Sequence, residues 1–589
     1  MRIVKSDLVI VGAGGAGLRA AIAAAEQDPN QNIALLSKVY PMRSHTVAAE
    51  GGAAGVVSEE DSLENHFRDT VAGGDWLCDQ EVVRIFVENI TPELVRMEHW
   101  GCPWSRHPDG RIQVRRFGGM KIPRTWFAAD KTGFHMLHTL FQTSIKFPNI
   151  NRFDEYFTTD LLVEDGRVQG VLAIEIKTGD PVVFLAPAVI LATGGSGRLF
   201  RFNTNGGIVT GDGMAMAFRA GAALRDMEFF QFHPTGLPGS GILMTEACRG
   251  EGGLLLNKDG YRYLQDYGLG PETPVGQPKN KYMELGPRDR LSQAFWHERR
   301  KGRTISTELG EVVHLDLRHL GEAYINERLP LIRDLSIKLV GVDPVKEPIP
   351  VLPVAHYTMG GIRTDKHTAT DLPGLWAAGE CSSVGMHGAN RLGSNSLAEL
   401  LVFGRIAGEQ GTAFSKENGL TNEAALVEQA KERLARIESI RARSGEERVG
   451  RLRKEMAKTM DDLFGIYRVG EEMEQGLARL RELRERFQHI GIDDKTGPFN
   501  TDLLLALELE AGLDVAMAVA VSALNRKESR GAHQRLDGYE KRDDEHYLAH
   551  SVAWYRGDQD PEIEYQPVNI TTFPPAERVY GAAGENADH

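Results

Sequence analysis

The stretch SDLVIVGAGGAGLRAAIAAAEQD, residues 6–28, restricts the possible folds more than any other part of the chain. Leu8 to Val11 is a short apolar run with strand character, and an alanine-rich run with helical character follows. Between them stand Gly12, Gly14 and Gly17, spaced G-x-G-x-x-G. Glycine at these positions permits a tight turn and lets a pyrophosphate approach the N-terminus of the helix. Gly12, Ala13, Gly14, Gly15, Ala16 and Gly17 are therefore expected to cradle a dinucleotide, the alternative being a glycine turn without a ligand. A second apolar run, NIALLSK at residues 32–38, completes a βαβ opening. The expected class is α/β, with a Rossmann-like dinucleotide domain.

This fingerprint normally places an acidic residue near the end of the second strand, for a ribose hydroxyl. Here that strand ends in Ser37 and Lys38. Ribose recognition must then use hydroxyl or backbone groups, or an acid from elsewhere, and Asp212 in TGDG and Glu380 in AAGE are candidates. No second G-x-G-x-x-G lies between a strand and a helix, so one dinucleotide is expected. If it is FAD, its electrons come from outside the chain. The four cysteines, Cys78, Cys102, Cys248 and Cys381, form no CxxC pair. They offer no zinc or iron–sulfur ligand set and no disulfide framework, which points to a reducing compartment and to no metal.

VVFLAPAVILATGGSG at 182–197 and PGLWAAGE at 373–380 read as later strands of the same domain, which makes that domain discontinuous. The expected division is 1–234 with 353–415 for the nucleotide-binding domain, 235–352 for an inserted α+β domain, 416–545 for a helical bundle, and 546–589 for an extended, frayed tail. Met473, Leu477, Leu480, Leu483, Phe487 and Ile490 recur at three- and four-residue spacing, as on one face of an amphipathic helix. The charged run RKESRGAHQRLDGYEKRDD, 526–544, reads by its residues as a solvated, salt-bridged segment. A net charge of −14 argues against nucleic-acid binding. No run of 18 apolar residues exists to span a membrane, and the early first strand, from Ser6, leaves no room for a signal peptide.

Just past the second strand stands PMRSHTVAAEGG. It places His45 between Ser44 and Thr46, ahead of Glu50, Gly51 and Gly52, on the cofactor side of the sheet. A lone histidine is usually structural. In this setting the imidazole is a candidate nucleophile toward an activated flavin methyl group. RSHTVAAEGG resembles the covalent-flavin signature of the succinate dehydrogenase and fumarate reductase flavoprotein subunits. The resemblance extends through GAGGAGLRAA, TGDGMAMA, QFHPTG, TEACRGEGG, PRD, HYTMGGI, HGANRLGSNSLAEL and ESRGAHQR, so it covers essentially the whole chain. Glu50 stands where succinate dehydrogenases typically have Gln and where enteric quinol:fumarate reductases have Glu.

A dicarboxylate substrate needs cations and hydroxyls for both carboxylates and a proton donor at the alkene carbon. His233, Thr245, Glu246, Arg249, Arg288, His356 and Arg391 all lie in glycine- or proline-rich segments, which places them on loops or element ends. By resemblance, Arg288 donates the proton, and Glu246 and Arg249 relay protons to it. His233, Thr245, His356 and Arg391 hold the substrate, and the flavin supplies the hydride. The resemblance further implies a cofactor site that includes Ser37, Lys38, Ser44, Thr46, Glu50, Gly51, Gly52, Asp212, Tyr357, Glu380, Arg391, Ser396 and Leu397, with covalent FAD on His45. It implies an iron–sulfur subunit, with segment 526–544 near the flavin domain and that subunit's interface, membrane anchor subunits with a quinone site, and a peripheral location on the cytoplasmic face of the bacterial inner membrane. The expected activity is fumarate reduction in anaerobic respiration. Succinate dehydrogenase is the alternative, with L-aspartate oxidase and a non-catalytic electron-transfer protein further behind. Two local questions remain open in the sequence: whether Ala247, where glycine is common, strains its loop, and whether Cys248 is reactive or inert.

Overall fold

A computed structural model of the protein describes residues 1–269 and 283–578. The polar end GAAGENADH, expected to fray, lies outside the described residues.

A five-stranded, all-parallel sheet organises the nucleotide-binding part. Its strand order is Leu375–Ala377, Ala188–Leu191, Leu8–Val11, Ile33–Ser37 and Ile150–Asp154. The strands 8–11 and 33–37 are buried along their whole length, as continuous apolar runs covered on both faces require. Helix Gly15–Gln27 packs against one face together with helix Asn395–Glu417. The contact is close because it is made of small residues. A Cβ on Gly408 would fall 2.2 Å from the Ala20 carbonyl oxygen, and one on Gly404 2.8 Å from that of Ala16.

The run 182–197 does not serve one sheet. Pro181–Leu185 joins a separate four-stranded sheet with Arg2–Lys5, Arg167–Glu175 and Tyr156–Glu164, and only 188–191 enters the parallel sheet. Strand 2–5 also places the first strand earlier than Ser6. The run 182–197 divides at a bend at Pro187, and composition alone cannot assign its two halves to different sheets.

Strands Phe230–Gly236, Ile349–Thr358, Gly310–Asp316 and Leu254–Leu256 form an antiparallel sheet in that order. With helices Arg288–Arg300, Glu322–Arg328 and Pro330–Val340 it encloses a hydrophobic cluster that includes Leu255, Tyr263, Leu291, Leu315, Ile332 and Val351. Helices Glu423–Ala442, Val449–Leu463, Gly470–Phe487 and Thr501–Asn525 follow. Met473, Leu477, Leu480, Leu483 and Phe487 are the buried stripe of the third of these, and Ile490 is buried beyond it.

The run 526–544 is not a solvated segment in its first half. Arg526, Glu528, Arg530 and His533 are fully buried, and Arg526 pairs with Glu228 at 2.5 Å and with Glu528 at 2.8 Å. Alternating signs in sequence cannot distinguish a surface network from an internal one. Nor is the last segment simply extended, because Ala549–Trp554 and Glu562–Pro567 form a hairpin whose first strand pairs with Leu224–Arg225. Among the described residues no helix is long and apolar enough to cross a membrane.

Candidate active site

The parallel sheet ends in a cavity of about 220 Å³ that runs from the glycine turn to the antiparallel sheet. At its first end, Gly12 leaves strand 8–11 with φ +109°, and a Cβ there would fall 2.1 Å from the Ala192 carbonyl oxygen. A Cβ on Gly17 would fall 1.7 Å from the Gly12 carbonyl oxygen. Both positions are therefore restricted to glycine by the protein's own backbone. At Gly14 nothing would lie nearer than 3.4 Å, so this turn leaves clearance for a ligand. The Thr46 hydroxyl accepts the Gly15 N–H at 3.1 Å, joining the loop of His45 to the helix N-terminus. Ala13, Ala16, Ser37, Ser44, Ser396 and Leu397 line the same cavity.

Lys38 occupies the place where the fingerprint acid is usual, and its ammonium is fully engaged. It donates to Thr210 Oγ1 at 3.0 Å, to Asp212 Oδ2 at 2.6 Å and to Glu508 Oε1 at 2.8 Å. Burial opposes its charge, but Asp212 and Glu508 outweigh burial and raise its pKa. Lys38 thus holds Asp212, the first residue of helix Asp212–Ala220, at the cavity wall. Glu380 lines the far side, accepts the Thr358 N–H at 3.0 Å, and is pushed by burial up to about 7.

His45 lies on the cavity wall in a short 3₁₀ turn, His45–Ala48. The Gly206 N–H donates to its Nδ1 at 3.3 Å, which leaves Nε2 as the other ring nitrogen. Burial, with the Arg198 charge, lowers its pKa to about 4, so the ring is neutral at pH 7. Glu50 is buried with Oε2 lacking a hydrogen-bond partner. Burial, reinforced by Asp130, raises its carboxyl well above the usual range. Gly51 and Gly52 are tight for a reason the sequence does not reveal. A Cβ on Gly51 would meet the Phe117 ring at 2.7 Å, and one on Gly52, at φ +141°, the Trp126 carbonyl oxygen at 2.4 Å. Their small size serves protein packing, although both line the cavity.

At the other end, strands 230–236 and 349–358 bring His233 and His356 together, with ring centroids 5.0 Å apart. These two lie within strands and not on loops, because proline and glycine here sit in irregular, bulged strands. Thr245 caps the short helix Glu246–Gly250, and its hydroxyl accepts the Ala247 N–H at 3.3 Å. Arg288 opens helix 288–300 and donates from Nε to Glu246 Oε2 at 2.8 Å; Arg249 Nη2 lies 3.7 Å from the same oxygen. Arg391 enters from the loop before helix 395–417, its guanidinium 4.3 Å from the Tyr357 ring centroid. Thr245, Glu246, Arg288, His233, His356, Tyr357 and Arg391 line the cavity; Arg249 does not, standing fully buried behind Glu246.

One residue of this cluster escaped the sequence reading. Gln231 is fully buried, and its Oε1 accepts from Arg288 Nη1 and from Arg391 Nη2, each at 3.1 Å. Its amide NH2 donates to Asn390 Oδ1 at 2.9 Å and to the Arg391 carbonyl at 2.8 Å. That pair of acceptors fixes the amide orientation, so the oxygen must face both guanidiniums. The available signal was period two: Gln231 and His233 share a strand face.

The electrostatics follow from three cations against one carboxylate. Burial raises the Glu246 carboxyl, but Arg288 and Arg249 outweigh it, and the group lies below its ordinary value. Burial and then the Arg288 charge push His233 and His356 well below the usual range, so both rings are neutral. His233 Nδ1 accepts the Thr235 N–H at 3.3 Å, so its proton sits on Nε2, which has no protein partner. Burial and Arg288 lower Arg391 to about 10. Ala247 lies in a helix at ordinary φ, without strain. Cys248 is fully buried and its thiol is pushed far up by burial, which makes it inert.

Glycine-bounded clearance at a helix N-terminus, at the end of a parallel sheet and with an acid from a neighbouring helix, defines a dinucleotide-binding flavoprotein. The FAD binding domain family matches residues 7–397, and the family of fumarate reductase flavoprotein C-terminal domains matches residues 453–580. The fumarate reductase flavoprotein subunit of Serratia is 64% identical over 99% of this chain and 98% of its own length. That of Escherichia coli K12 is 63% identical over 100% and 98%. A solved quinol–fumarate reductase with menaquinol molecules contains a chain that superposes with a TM-score of 0.96, at 63% identity, covering 98% of this chain and all of that one. The chain belongs to the fumarate reductase flavoprotein subunit family.

Proposed function

We propose that this chain is the catalytic flavoprotein subunit of a quinol:fumarate reductase, reducing fumarate to succinate with FAD attached to His45. The observation that carries this reading is the single cavity that joins the glycine cradle to Arg288, Glu246, Arg391 and the two neutral histidines. The glycine turn, Asp212, Glu380 and the 44–52 loop would hold FAD, which would supply a hydride equivalent when bound. The chain's own residues do the rest. Arg391 and Arg288 offset the two negative charges of a dicarboxylate, while His233 Nε2–H and the Thr245 hydroxyl orient it. His356 completes the clamp.

Arg288 gives the proton. Guanidinium is a poor acid in water, with a pKa above about 12. Its loss of a proton becomes tolerable where Arg391 sits on the same glutamine oxygen and Glu246 is ready at Nε. Glu246 and Arg249 return a proton to it. Segment 235–352 caps the cavity and excludes water, which strengthens each arginine–carboxylate contact. Electrons reach the site through an iron–sulfur subunit from membrane anchors with a quinone site, which keeps this chain peripheral on the cytoplasmic face of the inner membrane. Support for that assembly comes from the likeness to a solved quinol–fumarate reductase.

Arg288→Gln should lower fumarate reduction by two to four orders of magnitude, the range of a lost general acid, with flavin content unchanged. Near-wild-type turnover would remove Arg288 from the role. His45→Ser should retain FAD that acid precipitation releases, whereas wild type keeps flavin fluorescence in the pellet; free flavin from wild type would refute the covalent bond.

A further inference from the structure

The last described residues form a strap that reaches the helix of Arg288. It begins at Val568, after the C-terminal hairpin, and is bolted to the nucleotide-binding part by Asp79 and Gln80. Asp79 Oδ1 accepts the Asn569 N–H at 2.9 Å. The buried Gln80 side chain accepts three successive strap N–H groups through Oε1, from Thr571, Thr572 and Phe573, at 3.1, 2.8 and 3.0 Å. It donates back from Nε2 to the Phe573 carbonyl at 2.6 Å. Phe573 packs against Phe67, and Arg542 donates to the Ala576 carbonyl at 2.8 Å. So many directed contacts on so short a segment set where its end must lie.

That end is Arg578. Its guanidinium donates to Asp289 Oδ2 in a close ion pair, with Asp289 almost wholly buried. It also lies 3.9 Å from Asp75 Oδ2 and donates to the Gly73 carbonyl at 3.4 Å. Asp75 belongs to the turn after helix Leu63–Gly73, in a left-handed conformation at φ +53°; Asp289 is the second residue of the helix that Arg288 opens. One cation therefore bridges carboxylates from two elements more than 200 residues apart in the chain. A second tie, from Gln293 Nε2 to the Gly531 carbonyl at 3.4 Å, holds the same helix one turn on. Without the Arg578 charge, the Asp75 carboxylate keeps Arg542 and the Gly531 N–H as partners, but Asp289 loses this cation next to the residue that must meet the substrate.

We propose that Arg578 is a positioning residue for Arg288, and that the strap 568–578 is the clasp that holds helix 288–300 against the nucleotide-binding part. The inference rests on the reading of Arg288 as proton donor. The test compares wild type, Arg578→Gln and Arg578→Lys in the purified holoenzyme complex. It reads kcat and KM for fumarate with an artificial donor, acid-stable flavin, and hydrogen exchange at 285–292 against 8–37. Arg578→Gln should lower kcat on the order of tenfold to a hundredfold, as a small misplacement of a catalytic group does. It should speed exchange at 285–292 only and leave acid-stable flavin unchanged. Arg578→Lys should recover part of both losses. Wild-type kcat in Arg578→Gln, with or without faster exchange, overturns the proposal. So does faster exchange spread equally over 8–37, which marks a general structural role. An active Arg288→Gln would instead sink the proton-donor reading, while the exchange data would still report whether the clasp exists.

Discussion

The two ends of the cavity are built on opposite plans. The cradle is made largely of backbone: Gly12 and Gly17 are pressed against the carbonyl oxygens of Ala192 and Gly12, and its glycines lie within one βαβ unit. The substrate end is made of side chains from five segments between Gln231 and Arg391, held by polar contacts with one another. A backbone site fails all at once when a Cβ is added. A side-chain site fails by degrees, according to which contact is lost.

The sharpest break should come at Gly12→Ala. The change puts a Cβ at 2.1 Å from the Ala192 carbonyl oxygen and alanine at a φ of +109°. Loss of all bound flavin is expected, measured by absorbance after gel filtration, and a variant with full flavin would show that the turn can rearrange. At the other end, Gln231→Leu removes the one oxygen shared by Arg288 and Arg391. Hydrogen bonds to charged groups contribute about 1.5–3 kcal/mol, so kcat/KM for fumarate should fall roughly tenfold to a hundredfold with flavin retained. Unchanged kinetics would mean that the two guanidiniums need no bridge.

The smallest expected effect concerns pH. Burial raises the Glu380 carboxyl from the ordinary 4.5 to about 7 in the cofactor-free chain. The folded chain therefore holds a proton that the unfolded chain releases. Stability from this group is full below pH 4.5 and is lost as pH rises through about 7. Glu380→Gln should flatten the fall in Tm over that window for the flavin-free protein. An identical Tm–pH curve in both proteins would show that the carboxyl titrates normally.

Much of the cradle was legible because its glycine spacing is local, although the carbonyl that restricts Gly12 belongs to the distant Ala192. Three glycines at fixed spacing after an apolar strand specify a turn, and the missing acid at Ser37–Lys38 pointed to Asp212, which Lys38 does hold at the cavity wall. The substrate residues were legible as types, by chemistry and resemblance, but not as an arrangement. Nothing in QFHPTG or AHYTMGG states that their histidines meet across a ladder at 5.0 Å, or that Gln231 joins two arginines 57 and 160 positions away. The solvated reading of the charged run at 526–535 failed for the same reason, since composition does not say which side of the surface a residue occupies.

Sequence by itself determined the α/β class, the dinucleotide turn and the set of groups suited to a dicarboxylate, because these depend on side-chain chemistry and near-neighbour spacing. The tertiary structure alone decided the electrostatics: two neutral histidines, a carboxylate below its ordinary value between two arginines, and a Gly51–Gly52 pair that makes room for Phe117 and Trp126. Burial and charge proximity set those properties, and both are sums over residues that meet only when the chain is folded.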